Sequence, residues 1–517
     1  MPEYLLFALG LVPLMLMVFL ILKVKTPIHY SVLITLALTC GLTMVFWHMP
    51  TETLRAALTY GALKGLWPIV IVILGAIFSY NVMQATRALN ILRDVLIGIS
   101  DDKRIQVLLI SWCFGGFLEA AAGYGTAVAI PIGILITLGF PPLKAAIASL
   151  VANTVPTAFG AVGIPVTILA EQVHLPVNTL GGTIIMQLAV FNILLPFVII
   201  CIIGGGVRAI RGVFGITLLC GVATLIPQYF VAIHLGAELP AFAGSLVSLI
   251  VVALAGRARN GKTEREWRVD NKSKTEAAPR SPVVLLRTCS IYILMFVFIL
   301  LCSPLFPGIK SAVSQIASVL HFPLANGETL TLKVEWLTTP GMLIIFATLI
   351  GGFIQGASAK GMLQVFVETL LQLKNSIIAI MAIVALATVM DVSGLISTLA
   401  QTMVHLTGGA FVFISPVIGA LGTFVTGSDT NSNVLFGKLQ TMAAEKLHID
   451  PNWLAAANTA GATGGKMISP QSIAIAVSAT RMEGQGSTIM TGTMKYCAAY
   501  IFILGLKVGL FYYWFMA

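Results

Sequence analysis

The chain has 517 residues, 58% of them hydrophobic and 10% charged, with a mean hydropathy of +0.96. Water-soluble proteins carry about a quarter of their residues as Asp, Glu, Lys and Arg, so this composition excludes a soluble globular domain and specifies an integral membrane protein. The net charge of +10 does not point to nucleic acid, because nine basic and four acidic residues gather between Arg257 and Arg287 in one polar loop.

Apolar runs able to cross a hydrocarbon core of roughly 30 Å are expected near 5–22, 29–47, 66–85, 144–170, 180–203, 212–233, 240–256, 288–304, 340–356, 371–390, 451–478 and 494–516. The first lacks a basic leader and a cleavage site, so it reads as a retained span. Lys and Arg in short connections favour the cytoplasm. Lys23, Lys25, Arg87, Arg93, Lys103, Arg104, Arg208, Arg211, Lys360, Arg481 and the basic loop agree on one side. The opposite connections "HLPVN" and "HLGAELP" carry no Lys or Arg. The consistent path has twelve full crossings and both termini outside. The seven cysteines (40, 113, 201, 220, 289, 302, 497) lie in or beside apolar runs without a C-x-x-C pair, so neither a disulfide framework nor a metal site is expected. The seven histidines fall mostly at span ends and read as interface residues.

Two segments are not simple crossings. Residues 105–138 contain "GGFLEAAAGYGTAVAIPIG" and residues 408–443 contain "GALGTFVTGSDTNSNVLFG". Each is an apolar arm, a Gly-rich polar break and a second arm: two full spans, or a re-entrant hairpin. Non-helical backbone at membrane depth requires protein or water around it, so neither break faces lipid.

Residues 152–165, "ANTVPTAFGAVGIP", and 457–470, "ANTAGATGGKMISP", share Ala-Asn-Thr, a central Gly and the final Pro at a constant offset of 305. The same offset carries 29–47, 66–85 and 180–203 onto or close to later spans, and the two motif spans run in opposite directions. The expected fold class is an all-α polytopic membrane protein: about 12 full transmembrane helices plus two re-entrant helical hairpins, in two inverted-topology repeats with broken helices. The expected division is a half 1–256 with hairpin 105–138 and broken helix 144–170, a cytoplasmic basic linker 257–287, and a half 288–517 with hairpin 408–443 and broken helix 451–478.

An unwound helix exposes N–H groups on one side of the break and carbonyls on the other. Asn153, Thr154, Asn458 and Thr459 are candidates for substrate contact beside the breaks, though Asn and Thr also glue membrane helices together. Glu119 in the first hairpin and Asp429 at the second break are intramembrane carboxylates, which usually mark ion or proton paths, unless each is permanently paired. Lys466 is the candidate countercharge for an anion, or a partner for either acid. Gly123, Tyr124, Gly125 and Thr126 at the first tip, Ser428 and Thr430 at the second, and Ser469 and Gln471 after the second break complete the candidate binding set. Lys507, deep in a span without a motif, reads as packing or snorkelling.

"FLEAAAGYGTAVAIPIG", "GTFVTGSDTNSNVLFGKLQ" and "AANTAGATGGKMISPQSIAIA" closely resemble signatures of the bacterial L-lactate permease family, which includes glycolate permeases. The resemblance runs along nearly the whole chain. It implies a multi-pass protein of the bacterial inner (plasma) membrane that carries L-lactate, and often glycolate or D-lactate, together with a proton. That family is distantly similar to the ion transporter superfamily, in which paired hairpins and broken helices form the site and a transport domain moves as an elevator. "EAAAGYG" stands here where "EGAAGFG" is commoner, adding the Tyr124 hydroxyl. The expected function is proton-coupled symport of 2-hydroxy monocarboxylates, not catalysis, with Asp429 and then Glu119 as proton carriers. No cofactor, metal or nucleic acid is expected; the partners are the monocarboxylate, H⁺ and the bilayer, and homo-oligomerisation stays open. The alternatives are an intramembrane aspartyl protease using Asp391 and Asp429, and an anion channel.

Overall fold

The computed structural model describes residues 3–123, 125–269 and 281–515. Among these, ten helices are long and apolar enough to cross a membrane, and twelve if each of two bent pairs is one crossing; the ten include Lys103–Ala121 and Leu395–Thr426, which carry the entering arms of the two hairpins. One bent pair, Pro142–Ala152 with Pro156–Val173, turns by 52° and is the first expected broken helix. The other, Pro282–Thr288 with Ser290–Leu301, turns by 62° in the expected span 288–304. The second expected broken helix separates into Pro451–Lys466 and Pro470–Thr480. The third expected span is longer than its apolar run: Thr51–Ala85 continues through 35 residues. It departs from helical backbone at Trp67, before Pro68, whose ring cannot supply a helical N–H.

Both hairpins are re-entrant. The returning arm of the first, Thr126–Thr137, has 12 residues, about 18 Å at 1.5 Å per residue. The entering arm of the second, Phe411–Thr426, has 16 residues, about 24 Å by the same rise. Neither crosses roughly 30 Å of hydrocarbon. The second turn is built locally: Gly427 takes the left-handed φ of 72° that ends one arm. The Ser428 hydroxyl then accepts from the Asn431 N–H and starts Asp429–Lys446. In the entering arm of the first hairpin, Lys103–Ala121, 94% of the most apolar window is buried, against 17% for Tyr4–Val24. The hairpins therefore sit at the centre and the N-terminal helix at the rim.

The two inverted-topology repeats exchange partners. Ile28–Phe46 packs on Ala359–Val392, while Pro340–Gln355, its counterpart at the 305 offset, packs on Ile71–Ala85, the counterpart of the other. The same swap occurs in the centre, where Gly160–Val173 packs on Asp429–Lys446 and Pro470–Thr480 packs on Thr126–Thr137. Small residues make the tight crossings. A methyl on Gly61 or Gly65 would overlap the backbone of Ala385 or Met381, and one on Gly461 or Gly465 the carbonyl of Pro416 or Ala420.

Three features lie outside the sequence expectations. Short helices Ala88–Ile97 and Leu395–Thr407, both amphipathic, precede the two hairpins. Ala317–Pro323 and Thr329–Glu335 form an antiparallel β-hairpin, with Ala317 opposite Glu335. Helix Pro240–Arg259 reaches into the expected linker 257–287 from one side and Pro282–Thr288 from the other. Residues 260–269 fold onto the base of the first hairpin: Asn260 accepts from the Asp101 N–H, and the Val269 N–H donates to the Asp101 carbonyl at 2.9 Å. Beneath them Arg104 forms a buried 2.7 Å ion pair with Asp102, covered by the Trp267 ring.

Candidate functional site

Both hairpin turns and both helix breaks converge on one cavity of about 270 Å³. Glu119, Gly123, Thr157, Gly160 and Ala161 line it from the first repeat, and Thr426–Asn431, Lys466 and Gln471 from the second. The far wall belongs to the outer helices, with His29 from Ile28–Phe46 and Asn375, Ser376 and Ile380 from Ala359–Val392.

The break in the first broken helix is a left-handed run: φ is 43° at Ala161, 60° at Val162 and 72° at Gly163. Left-handed backbone costs a β-branched residue such as Val162 about 1–3 kcal/mol, and such strain persists where surrounding structure enforces it. The offset of 305 carries this run onto Lys466–Ile468, where the second helix breaks. Lys466 and Ala161 thus occupy equivalent places, one presenting an ammonium to the cavity and the other a methyl.

The Lys466 ammonium donates to the Gly427 carbonyl at 2.9 Å and makes no salt bridge among the described residues. Glu119 and Asp429 are each only 3% exposed. Glu119 Oε1 lies against Gly123 and Gly160, where an added methyl would come within 3.5 and 2.7 Å of it. Glu119 Oε2 and both Asp429 oxygens are buried without a hydrogen-bond partner, although Asn153 neighbours Glu119 and Thr157 and Thr423 neighbour Asp429. Buried carboxylates short of hydrogen-bond partners are costly in the ionised form.

Of the residues singled out from sequence, Glu119, Gly123, Ser428, Asp429, Thr430, Lys466 and Gln471 border this cavity. Seven others do not. Gly125 packs against Ile475, and the Thr126 hydroxyl donates to the Gly123 carbonyl inside the turn. Asn153 and Thr154 are buried with unpartnered polar atoms behind the lining. Ser469 caps Pro470–Thr480 by accepting from the Ser472 N–H. Asn458 and Thr459 donate to Asn433 Oδ1 at 3.0 and 3.1 Å, and Asn433 donates to the Pro165 carbonyl. They bind helices together in mid-helix and are not at the break. Tyr124 lies outside the described residues.

Sequence reasoning missed Thr157, Gly160 and Ala161, although all three stand inside the repeated motif. It also missed the wall residues. Asn375 and Ser376 follow Gln372 and Lys374 at the polar start of the apolar stretch 377–390, so no break in the hydropathy marks them as lining residues.

Re-entrant hairpins and broken helices in inverted pairs around a polar cavity are the plan of multi-pass membrane transporters. The L-lactate permease family matches residues 6–515, and the chain belongs to that family. It is 43% identical over 424 residues to an L-lactate permease of Streptococcus iniae, covering 82% of this chain and 87% of that protein. It is 34% identical to the glycolate permease GlcA of Escherichia coli K12, over 92% of this chain and 90% of that one. An L-lactate permease of Bacillus subtilis is 35% identical, over 90% and 88% of the two chains. Among solved structures, the YdaH transporter of Alcanivorax borkumensis matches with a TM-score of 0.46 and 14% identity, covering 89% of this chain and 87% of that one.

Proposed function

We propose that the protein takes up L-lactate and related 2-hydroxy monocarboxylates, glycolate and D-lactate among them, by symport with a proton. The observation that carries this reading is the charge set of the cavity: one lysine and two buried carboxylates, none of them in a salt bridge among the described residues. With both acids ionised the set sums to one negative charge, and a monocarboxylate alone would double it in a poorly solvated site. Entry together with a proton leaves the charge unchanged, which avoids the cost of burying a second net charge.

Lys466 receives the substrate carboxylate, since an ammonium has three donors and Gly427 occupies one. Ser428, Thr430 and Gln471 serve the 2-hydroxyl. Asp429 carries the proton, and Glu119 steadies the first hairpin against the break at Gly160. The basic loop and the mouth beside His29 face the cytoplasm, and the termini lie outside.

The aspartyl-protease reading loses its support because Asp391 lines a separate cavity with Lys64 and His174, whereas that chemistry needs two Asp sharing a proton. Uptake of labelled L-lactate into proteoliposomes, with and without an imposed pH gradient, tests symport against a channel. Accumulation above the outside concentration, driven by the gradient, is the expected result. Equilibration without accumulation would overturn proton coupling.

A further inference from the structure

A second cavity, of about 90 Å³, lies along the same seam between the outer wall and the central helices. On Ala359–Val392 the first cavity touches Asn375–Ile380 and the second Val384–Val392; on Asp429–Lys446 the contacts move from Asp429–Asn431 to Val434. From Ser376 to Asp391 the helix rises about 22 Å at 1.5 Å per residue. The two cavities thus follow one another along this seam, the first beside His29 and the second under Leu330 of the β-hairpin.

The second cavity repeats the charge set of the first. Glu171, Asp391 and Lys64 stand where the first has Glu119, Asp429 and Lys466, with Tyr60 and His174 beside them. Lys64 makes no salt bridge among the described residues. Its ammonium lies 5.7 Å from the centre of the Tyr60 ring, and Lys64 and Tyr60 both line the cavity. The charged neighbours beyond the lining are Glu238, Glu335 and Lys438. A metal site is disfavoured, because the described residues hold no group of three His, Cys, Asp or Glu suited to one. Glu171 and His174 are exposed, so water and salt screen repulsion between the acids and an arriving anion.

We propose that this cavity is a second, weaker binding site for small 2-hydroxy monocarboxylates at the far end of the path, with Lys64 receiving the carboxylate. Tyr60 and His174 supply hydrogen bonds to the hydroxyl. The inference deepens the proposed function and rests on it. A station on a transport path must bind well enough to be entered and weakly enough to be left. A half-buried lysine that shares its site with two acids has that balance.

The test is Lys64→Gln in right-side-out and inside-out membrane vesicles. The KM for L-lactate uptake should rise about three- to fivefold in right-side-out vesicles, the range for one exposed charge contact. It should not change in inside-out vesicles. Equilibrium binding of labelled lactate to the main cavity should stay as in the wild type, and Lys64→Arg should restore the KM. Lys438→Gln removes a nearby charge that does not line the cavity and should leave both values unchanged. Unaltered KM in both orientations, an equal rise in both, or the same rise from Lys438→Gln overturns the second site while leaving lactate transport standing. A wild-type protein that carries no lactate overturns the function and this inference together.

Discussion

Lys466 donates to the Gly427 carbonyl at 2.9 Å, joining the break of the second broken helix to the turn of the second hairpin. The contact fixes the ammonium two residues from Asp429 in the chain of the turn, without pairing the two charges. The cation is held by a neutral carbonyl, so its charge remains available to an anion in the cavity.

Replacing Lys466 by Gln keeps a donor for Gly427 and removes the charge. A charge-assisted hydrogen bond contributes about 1.5–3 kcal/mol, so L-lactate affinity should fall about 10- to 100-fold. Equilibrium binding to the purified protein measures it. Wild-type affinity in this variant would mean that the substrate carboxylate is held elsewhere.

Asp429→Asn should abolish accumulation driven by a pH gradient while leaving lactate-for-lactate exchange measurable in preloaded proteoliposomes. The amide has nearly the shape of the acid but cannot release a proton near neutral pH. Uphill accumulation at wild-type rates would remove Asp429 as carrier and make Glu119→Gln the next measurement.

The parts of the site that were legible in sequence are those where chemistry contradicts the lipid environment. Asp429, Glu119 and Lys466 are expensive in a membrane, and the repeated Asn-Thr-to-Pro motif marks two helix breaks. What the motif could not reveal is where in its fourteen residues each helix fails. In the first copy the helix ends at Ala152, and the left-handed run at 161–163 follows. In the second the helix persists to Lys466, because Asn433 and Gln440 bond Asn458 from a neighbouring helix. Those partners lie 18 and 25 residues away in the chain, and no local pattern announces them. The segment 260–269 reads as a solvated connector for the same reason: its anchors, Asp101 and Asp102, are remote in sequence.

Asn433→Ala should destabilise the protein without removing any cavity-lining group. Asn433 Oδ1 accepts from Asn458 and Thr459, and its Nδ2 donates to the Pro165 carbonyl at 3.0 Å. Loss of the amide strands buried donors at about 1–3 kcal/mol for an unsatisfied group. A lower melting temperature in detergent, with lactate affinity near the wild type in the folded fraction, is expected. An unchanged melting temperature would show that water or a neighbour replaces the amide.

Gly461→Ala sets helix propensity against packing. Propensity alone favours Ala over Gly by about 1 kcal/mol in a helix interior, which predicts a more stable protein. The added methyl would overlap the Pro416 carbonyl, which is backbone and cannot swing aside. Overpacking of a tight contact costs typically about 1–3 kcal/mol, so the net effect should be destabilising. Gly133, in Thr126–Thr137, is the matched control, since nothing lies within 4 Å of a methyl built there. Gly133→Ala should be neutral or raise the melting temperature, while Gly461→Ala lowers it. If both variants melt together at or above the wild type, the close approach of Pro451–Lys466 to Phe411–Thr426 is not what holds the second hairpin against its broken helix.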